Sequence, residues 1–123
     1  MEVILDSSFI ISSVKNKVDF LTELEMKGFK IAIPREVLQE LKDLKLKTRH
    51  EERTAINLAL EMFERESKRI NKIKLGKRTV DEGLIFAGRK GMYIATIDNA
   101  IKKSVPNKVT LSDVTKGIVI ERE

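Results

Sequence analysis

Any chemistry this chain performs must come from oxygen ligands and charge. Its 123 residues include no Cys and no Trp, and His50 is the one histidine. Cysteine nucleophiles, zinc ribbons, redox pairs and disulfide scaffolds are excluded on that ground. A Ser-His-Asp triad would have to use His50, which lies in a very polar stretch with no nucleophile motif beside it. Four acids stand out instead. Asp6 follows the apolar run Val3-Ile4-Leu5, and Asp98 closes the run Tyr93 to Ile97. Glu40 sits between Leu38 and Leu41 at the edge of an apolar stripe. Asp81 has Leu84 and Ile85 as its i+3 and i+4 neighbours, which predicts an inward-pointing side chain. Each acid also has a structural alternative: Asp81 complements a helix dipole, and Glu40 reads equally as a surface acid.

The elements that must position these acids follow from the apolar pattern. Residues 2–5 read as a buried strand ending at Asp6, with Ser7 or Ser8 capping a short helix through Phe9, Ile10 and Ile11. Val18, Leu21, Leu24 and Met26 mark one face of a helix that Gly28 stops. Met26, Met62 and Phe63 read as core, and His50 as a surface side chain. Lys30 to Ile33 form a second strand, and Pro34 opens a helix whose buried face is Val37, Leu38, Leu41 and Leu44. Thr48, with Glu51 three residues later, predicts a capping box for a helix running to about Ile70. Asn71 to Leu75 alternates like a strand, Thr79 caps a helix with Leu84, Ile85 and Ala87, and Tyr93 to Ile97 is a further strand. A short helix through Ile101 precedes terminal strands at Val109 to Leu111 and Gly117 to Ile120. Strands alternating with helices predict an α/β fold: one domain over residues 1–123, with a central, mostly parallel sheet of about five strands and helices on both faces.

In such a sheet, ligands bind beyond the carboxyl ends of the strands, where Asp6 and Asp98 project. No G-x-G-x-x-G or Walker A loop is present, so that rim offers carboxylates rather than a phosphate cradle. Four acids at one rim raise one another's pKa, and desolvation adds to the conflict. A hard divalent cation removes it, and an oxygen-only donor set favours Mg²⁺ or Mn²⁺. Such an ion activates water and offsets charge on a phosphate.

The charge distribution points to the substrate. The net charge is +5, yet residues 42–78 alone hold 12 Lys and Arg against 6 Asp and Glu. Lys42, Lys45, Lys47, Arg49 and Arg53 read as a polyanion-binding face; the bland alternative is a solvated helix. Aromatics are only 5% of the chain, so nucleic-acid binding is expected to lean on charge. No run approaches the ~18 apolar residues of a membrane span. An acidic Glu2 where a leader would be basic, and the lack of Cys, fit a cytoplasmic protein.

These segments resemble the PIN-domain family of metal-dependent ribonucleases nearly end to end. Val3-Ile4-Leu5-Asp6-Ser7-Ser8 looks like the family's strand, acid and hydroxyl opening. Ile33 to Leu41 looks like its second motif, with the acid at Glu40. Asp81 with Ile85 and Ala87 resembles the third, with Glu82 as a competitor, and Thr96-Ile97-Asp98-Asn99 resembles the fourth. The resemblance implies metal-assisted hydrolysis of RNA phosphodiester bonds, with Asp6, Glu40, Asp81 and Asp98 as the metal-binding catalytic acids. Ser7 and Thr96 match hydroxyl positions that support the site. It further implies single-stranded RNA as substrate, a role in ribosomal RNA processing or as the toxin of a toxin–antitoxin pair, an antitoxin or ribosomal partner, and a homodimer. Two other readings remain: a non-catalytic RNA- or protein-binding module that keeps the fold, and a receiver or haloacid-type phosphoryl-transfer domain. The last lacks a second Asp two residues after Asp6.

Overall fold

The computed structural model describes residues 1–123. Thirteen elements follow in order. They are β1 (Glu2–Leu5), α1 (Ser7–Lys15), α2 (Phe20–Met26), β2 (Lys30–Pro34), α3 (Arg35–Lys45) and α4 (His50–Arg65). A 3₁₀ turn (Ser67–Arg69) leads to β3 (Ile70–Ile73), α5 (Val80–Arg89), β4 (Tyr93–Ala95), α6 (Asn99–Ser104), β5 (Lys108–Leu111) and β6 (Ile118–Glu121).

The strands form one six-stranded sheet in the order β3-β2-β1-β4-β5-β6. The first five are parallel, and β6 pairs antiparallel with β5 as a hairpin edge. The chain builds outward from β1 through β2 to β3, then crosses back to β4 and builds the other way. The direction of winding therefore reverses between β1 and β4. That reversal leaves a crevice at their carboxyl ends, where neither crossover covers the sheet.

Burial on both faces follows from the two-residue period of the strands. In β1, Val3 and Leu5 join a core cluster of 19 buried residues with Phe9, Phe20, Leu24, Val37, Leu41 and Ile56 from α1 to α4. Ile4, between them, faces the opposite side and packs with Leu84, Ile94, Ile101 and Val105 under α5 and α6. Three phenylalanines stitch the larger side together: Phe20 meets Phe9 and Phe63 edge-on, with centroids 5.8 and 6.2 Å apart. Such pairs add about 0.5–1.5 kcal/mol each beyond area burial.

Several local expectations change on contact with tertiary structure. Asp6, rather than Ser7 or Ser8, caps α1. Pro34 ends β2 with an extended backbone and α3 begins one residue later. Thr48 does not cap α4; Arg49 holds that position without a side-chain bond, and Thr48 Oγ1 is buried with no partner. The expected helix to Ile70 stops at Arg65, because Ile70 is taken by pairing with Ile31 of β2. Val18 precedes α2, and Met26 is 82% exposed on its last turn rather than core. The expectations for Val37, Leu41, Phe63, Thr79 and the terminal hairpin match the structure.

Two glycines in α5 let it lie close on its neighbours. A Cβ at Gly83 would stand 2.7 Å from the Cβ of Leu75, and one at Gly88 would stand 2.4 Å from Cγ1 of Val105. Alanine at Gly88 gains about 1 kcal/mol of helix propensity, but overpacking costs about 1–3 kcal/mol. The clash is with a branched carbon that cannot swing away, so overpacking wins. Gly88→Ala is expected to lower stability by roughly 1–2 kcal/mol in urea titration, and the loss should shrink when Val105→Ala is present in the same chain.

Candidate active site

The crevice between β1 and β4 places Asp6 at its floor. The backbone N–H of Asp6 donates to the carbonyl of Ala95 at 2.9 Å, so the two strand ends are tied at the point where both stop. The Asp6 side chain is only 5% exposed. Its Oδ1 accepts from the Ser7 backbone N–H at 2.9 Å; its Oδ2 accepts from Ser8 Oγ at 2.9 Å and from Thr96 Oγ1 at 2.7 Å. All three donors are neutral. Burial pushes the Asp6 carboxyl above its ordinary range, the hydroxyl and amide donors pull it back in part, and the nearby Asp81 charge adds to the rise.

Thr96, fully buried just past β4, is the hub of this network. Its hydroxyl donates to Asp6 and accepts from the Asp98 backbone N–H at 3.1 Å. Ser8 Oγ likewise accepts from the Ile97 backbone N–H at 3.2 Å. The segment 96–98 is thus pinned to the start of α1 by two hydroxyls. Ser8, which the sequence offered as a helix cap and as part of the hydroxyl opening after Asp6 but not as a support of the site, bonds the buried acid directly.

Ser7 joins the second acid. Its backbone N–H serves Asp6 while its hydroxyl donates to Glu40 Oε1, so one residue bridges two carboxylates. Glu40 is half-buried on α3, next to the buried Leu41. Asp81 lies in the first turn of α5, behind the Thr79 cap. It is exposed rather than inward-pointing, since the inward positions of that turn are taken by Val80, Gly83 and Leu84. Its charge nevertheless acts on Asp6. Asp98 is exposed and caps α6, accepting from Ala100 N at 2.8 Å and Ile101 N at 3.3 Å through Oδ1 alone. None of the four acids takes part in any of the chain's ion pairs. In the observed side-chain positions no three acids meet closely enough to enclose one ion.

A residue that sequence reading missed sets the spacing of the two flanking acids. Glu36, one turn before Glu40, accepts from the backbone N–H groups of Leu75 at 3.0 Å and Gly76 at 3.0 Å. These bonds hold its carboxyl below the ordinary glutamate range. Glu36 therefore clamps the loop that delivers Asp81 to the helix that carries Glu40. Its partners lie 39 and 40 residues away in backbone atoms, so no side-chain motif announces the contact.

The basic residues expected to bind polyanion divide among four places. Lys47 shares a groove of about 460 Å³ with Glu36, Gln39, Glu40 and Asp43. Lys42 and Lys45 line a separate groove of about 310 Å³ with Lys72, between α3 and α4. Arg49 is exposed at the start of α4. Arg53 is spent on structure: its guanidinium donates to the carbonyls of Lys45 and Thr48 and braces the α3–α4 connection. Glu82, the competitor of Asp81, pairs with Arg78 at 3.6 Å.

The fold is an α/β switch-point architecture with a buried aspartate at the end of β1, hydroxyls at the ends of β1 and β4, and a glutamate on α3 reached through Ser7. The PIN-like domain family matches residues 3–112, and the chain belongs to that family, whose members are generally divalent-metal nucleases. Among solved structures, VapBC2 from Rickettsia felis, bound to a DNA fragment from its promoter, is similar in fold. The likeness has a TM-score of 0.53 at 16% identity and covers 85% of this chain and 96% of that chain. No curated protein matches the sequence. The donor set fits a hard cation: it is all oxygen, it has no basic partner, and its buried member is held above its ordinary pKa.

Two outcomes follow. Because the folded pKa of Asp6 is raised, its contribution to stability is fully present below the ordinary aspartate range and is lost as pH rises through the raised value. Asp6→Asn keeps an N-cap and removes the charge, so its melting temperature in EDTA near neutral pH should exceed wild type by about 2–5 °C. For Glu36 the sign is opposite: its contribution is present above the ordinary range and is lost as pH falls through its lowered pKa. Glu36→Gln is expected to lower stability by about 1–2 kcal/mol at neutral pH, with the gap to wild type closing in acid melts.

Proposed function

We propose that this chain is an Mg²⁺- or Mn²⁺-dependent endoribonuclease acting on single-stranded RNA. One observation supports the reading: Asp6 is buried at the switch point, Ser7 links it to Glu40, Thr96 links it to Asp98, the Asp81 charge reaches it, and none of the four has a cationic partner in the protein. These four acids are the residues that would hold the ion. When bound, the ion supplies a water of lowered pKa and offsets charge on the phosphate. The chain's own groups do the rest. Ser7, Ser8 and Thr96 fix the orientation of Asp6 and Glu40, as outer-shell donors do. Asp98, with one carboxylate oxygen free of its helix, is suited to accept a proton from attacking water. Lys42, Lys45, Lys47 and Arg49 hold flanking phosphates.

The reading takes residues 1–123 as one cytoplasmic domain. Likeness to a VapBC complex favours a toxin whose partner is an antitoxin over a ribosomal RNA-processing enzyme; a homodimer remains part of the reading on the family resemblance alone. A second reading, a non-catalytic binding module, draws on the open arrangement of the acids.

Calorimetry with Mn²⁺ and hydrolysis of labelled single-stranded RNA separate the two. The nuclease reading expects metal binding, and cleavage that falls at least about a hundredfold in Asp6→Asn and about tenfold in Ser7→Ala. No Mn²⁺ binding, or metal binding without cleavage, overturns it in favour of the module; cleavage indifferent to Asp6 overturns the assignment of Asp6.

A further inference from the structure

Phe86 is 45% exposed on α5, while Gly83, Leu84 and Gly88 of the same helix are buried. Two ammonium groups stand over its ring. Lys77 Nζ lies 3.9 Å from the centroid and Lys90 Nζ 4.5 Å. One lysine comes from the loop before α5 and the other from just past its end, so both termini of the helix send a cation to the same exposed aromatic.

The chain that leads into α5 is basic. Residues 67–78 contain Lys68, Arg69, Lys72, Lys74, Lys77 and Arg78 and no acid. Arg69 is engaged by Glu25 and Glu66, and Arg78 by Glu82; the four lysines have no ion-pair partner. Lys72 lines the groove between α3 and α4, on the other face of the sheet, so the cations at the ring itself are Lys77 and Lys90. Asp81 precedes Phe86 by five residues, about 7.5 Å along the helix axis and about 140° around it, so a strand passing between them must wrap the start of α5.

We propose that Phe86, flanked by Lys77 and Lys90, is a stacking platform for a base of single-stranded RNA, with the two lysines holding adjoining phosphates and the strand continuing toward the crevice. A cation over an exposed ring is weakly held, so each lysine gives up the ring face to a base in exchange for a charge-assisted phosphate bond. Stacking on an aromatic accepts any base, which suits a site read through charge. The proposal rests on the nuclease reading for where the strand leads, but binding at Phe86 requires neither metal nor cleavage.

The test is fluorescence anisotropy with labelled oligouridylate and with an abasic oligonucleotide of equal length, in EDTA, on the full chain. Phe86→Ala is expected to weaken oligouridylate binding roughly five- to fiftyfold, leave abasic binding unchanged, and melt as wild type. Phe86→Tyr should restore the affinity. Lys77→Ala with Lys90→Ala should reduce the slope of log K against log salt by about 1.4, at ~0.7 per phosphate. Equal losses on both oligonucleotides, or none on oligouridylate, overturn the platform. Selective capture of an acidic peptide at Phe86 in place of RNA overturns it too. A chain that shows the Phe86 effect but does not cleave RNA with Mn²⁺ leaves the platform standing and refutes the nuclease. Cleavage that depends on Asp6 with no Phe86 effect does the reverse.

Discussion

The structure turns on a single buried carboxylate that has no cation. Desolvating an ion costs several kcal/mol even after relaxation, and the three neutral donors on Asp6 return about 1.5–3 kcal/mol each at best. The direction of its pKa shows that burial still wins. A fold that only needed to cap α1 would do so with a serine at no such cost. Asp6 is instead held at the one place where the parallel sheet opens, fixed by the Ala95 carbonyl behind it and by Thr96 beside it.

From that point the geometry of the crevice spreads through short-range links. Ser7 carries the constraint to Glu40 on α3. Glu36, one turn away, carries it to the backbone of residues 75 and 76, and hence to the start of α5. Gly83 and Gly88 let α5 approach Leu75 and Val105 closely enough for that placement to be rigid. On the other side, Thr96 passes the constraint to the Asp98 backbone. Each acid is located by a neighbour that is itself hydrogen-bonded, so the rim is built before any ligand arrives. Asp81 lies near enough for its charge to add to the rise in the Asp6 pKa that burial causes.

Much of this was legible from residues alone, for physical reasons that also mark where legibility ends. Val3-Ile4-Leu5 and Tyr93-Ile94-Ala95 are buried on both faces, and continuous apolar runs bounded by polar residues announce such strands. The switch point then follows from strand–helix alternation. The caps were harder. Asp6, Ser7 and Ser8 are all competent caps, and the choice is made by Ala95, some 90 residues away, which fixes where the strand stops. Thr48 and Glu51 have the right spacing for a capping box, yet the tight connection held by Arg53 moves the helix start to His50. Met26 follows Leu24 by two residues, about 200° around the helix, so it turns away from the face that Leu21 and Leu24 bury and is exposed. Glu36 was invisible because a carboxylate bound to distant amides has no sequence signature.

Charge is arranged so that sign changes over short distances, and that arrangement bears on how a polyanion approaches. Asp6 is buried at the end of β1, while unpaired lysines lie on β3 and the loop beyond it. On the proposed nuclease reading, a bare acidic crevice would repel phosphate and outlying lysines would hold the strand first; a bound cation would then offset the acids' charge. The same lysines would be a liability on a protein selected only for solubility, since acids serve that purpose better. Lys77 and Lys90 meet at Phe86, an aromatic ring that burial does not require, and that pairing suits the proposed ligand, which carries both negative charge and flat apolar faces.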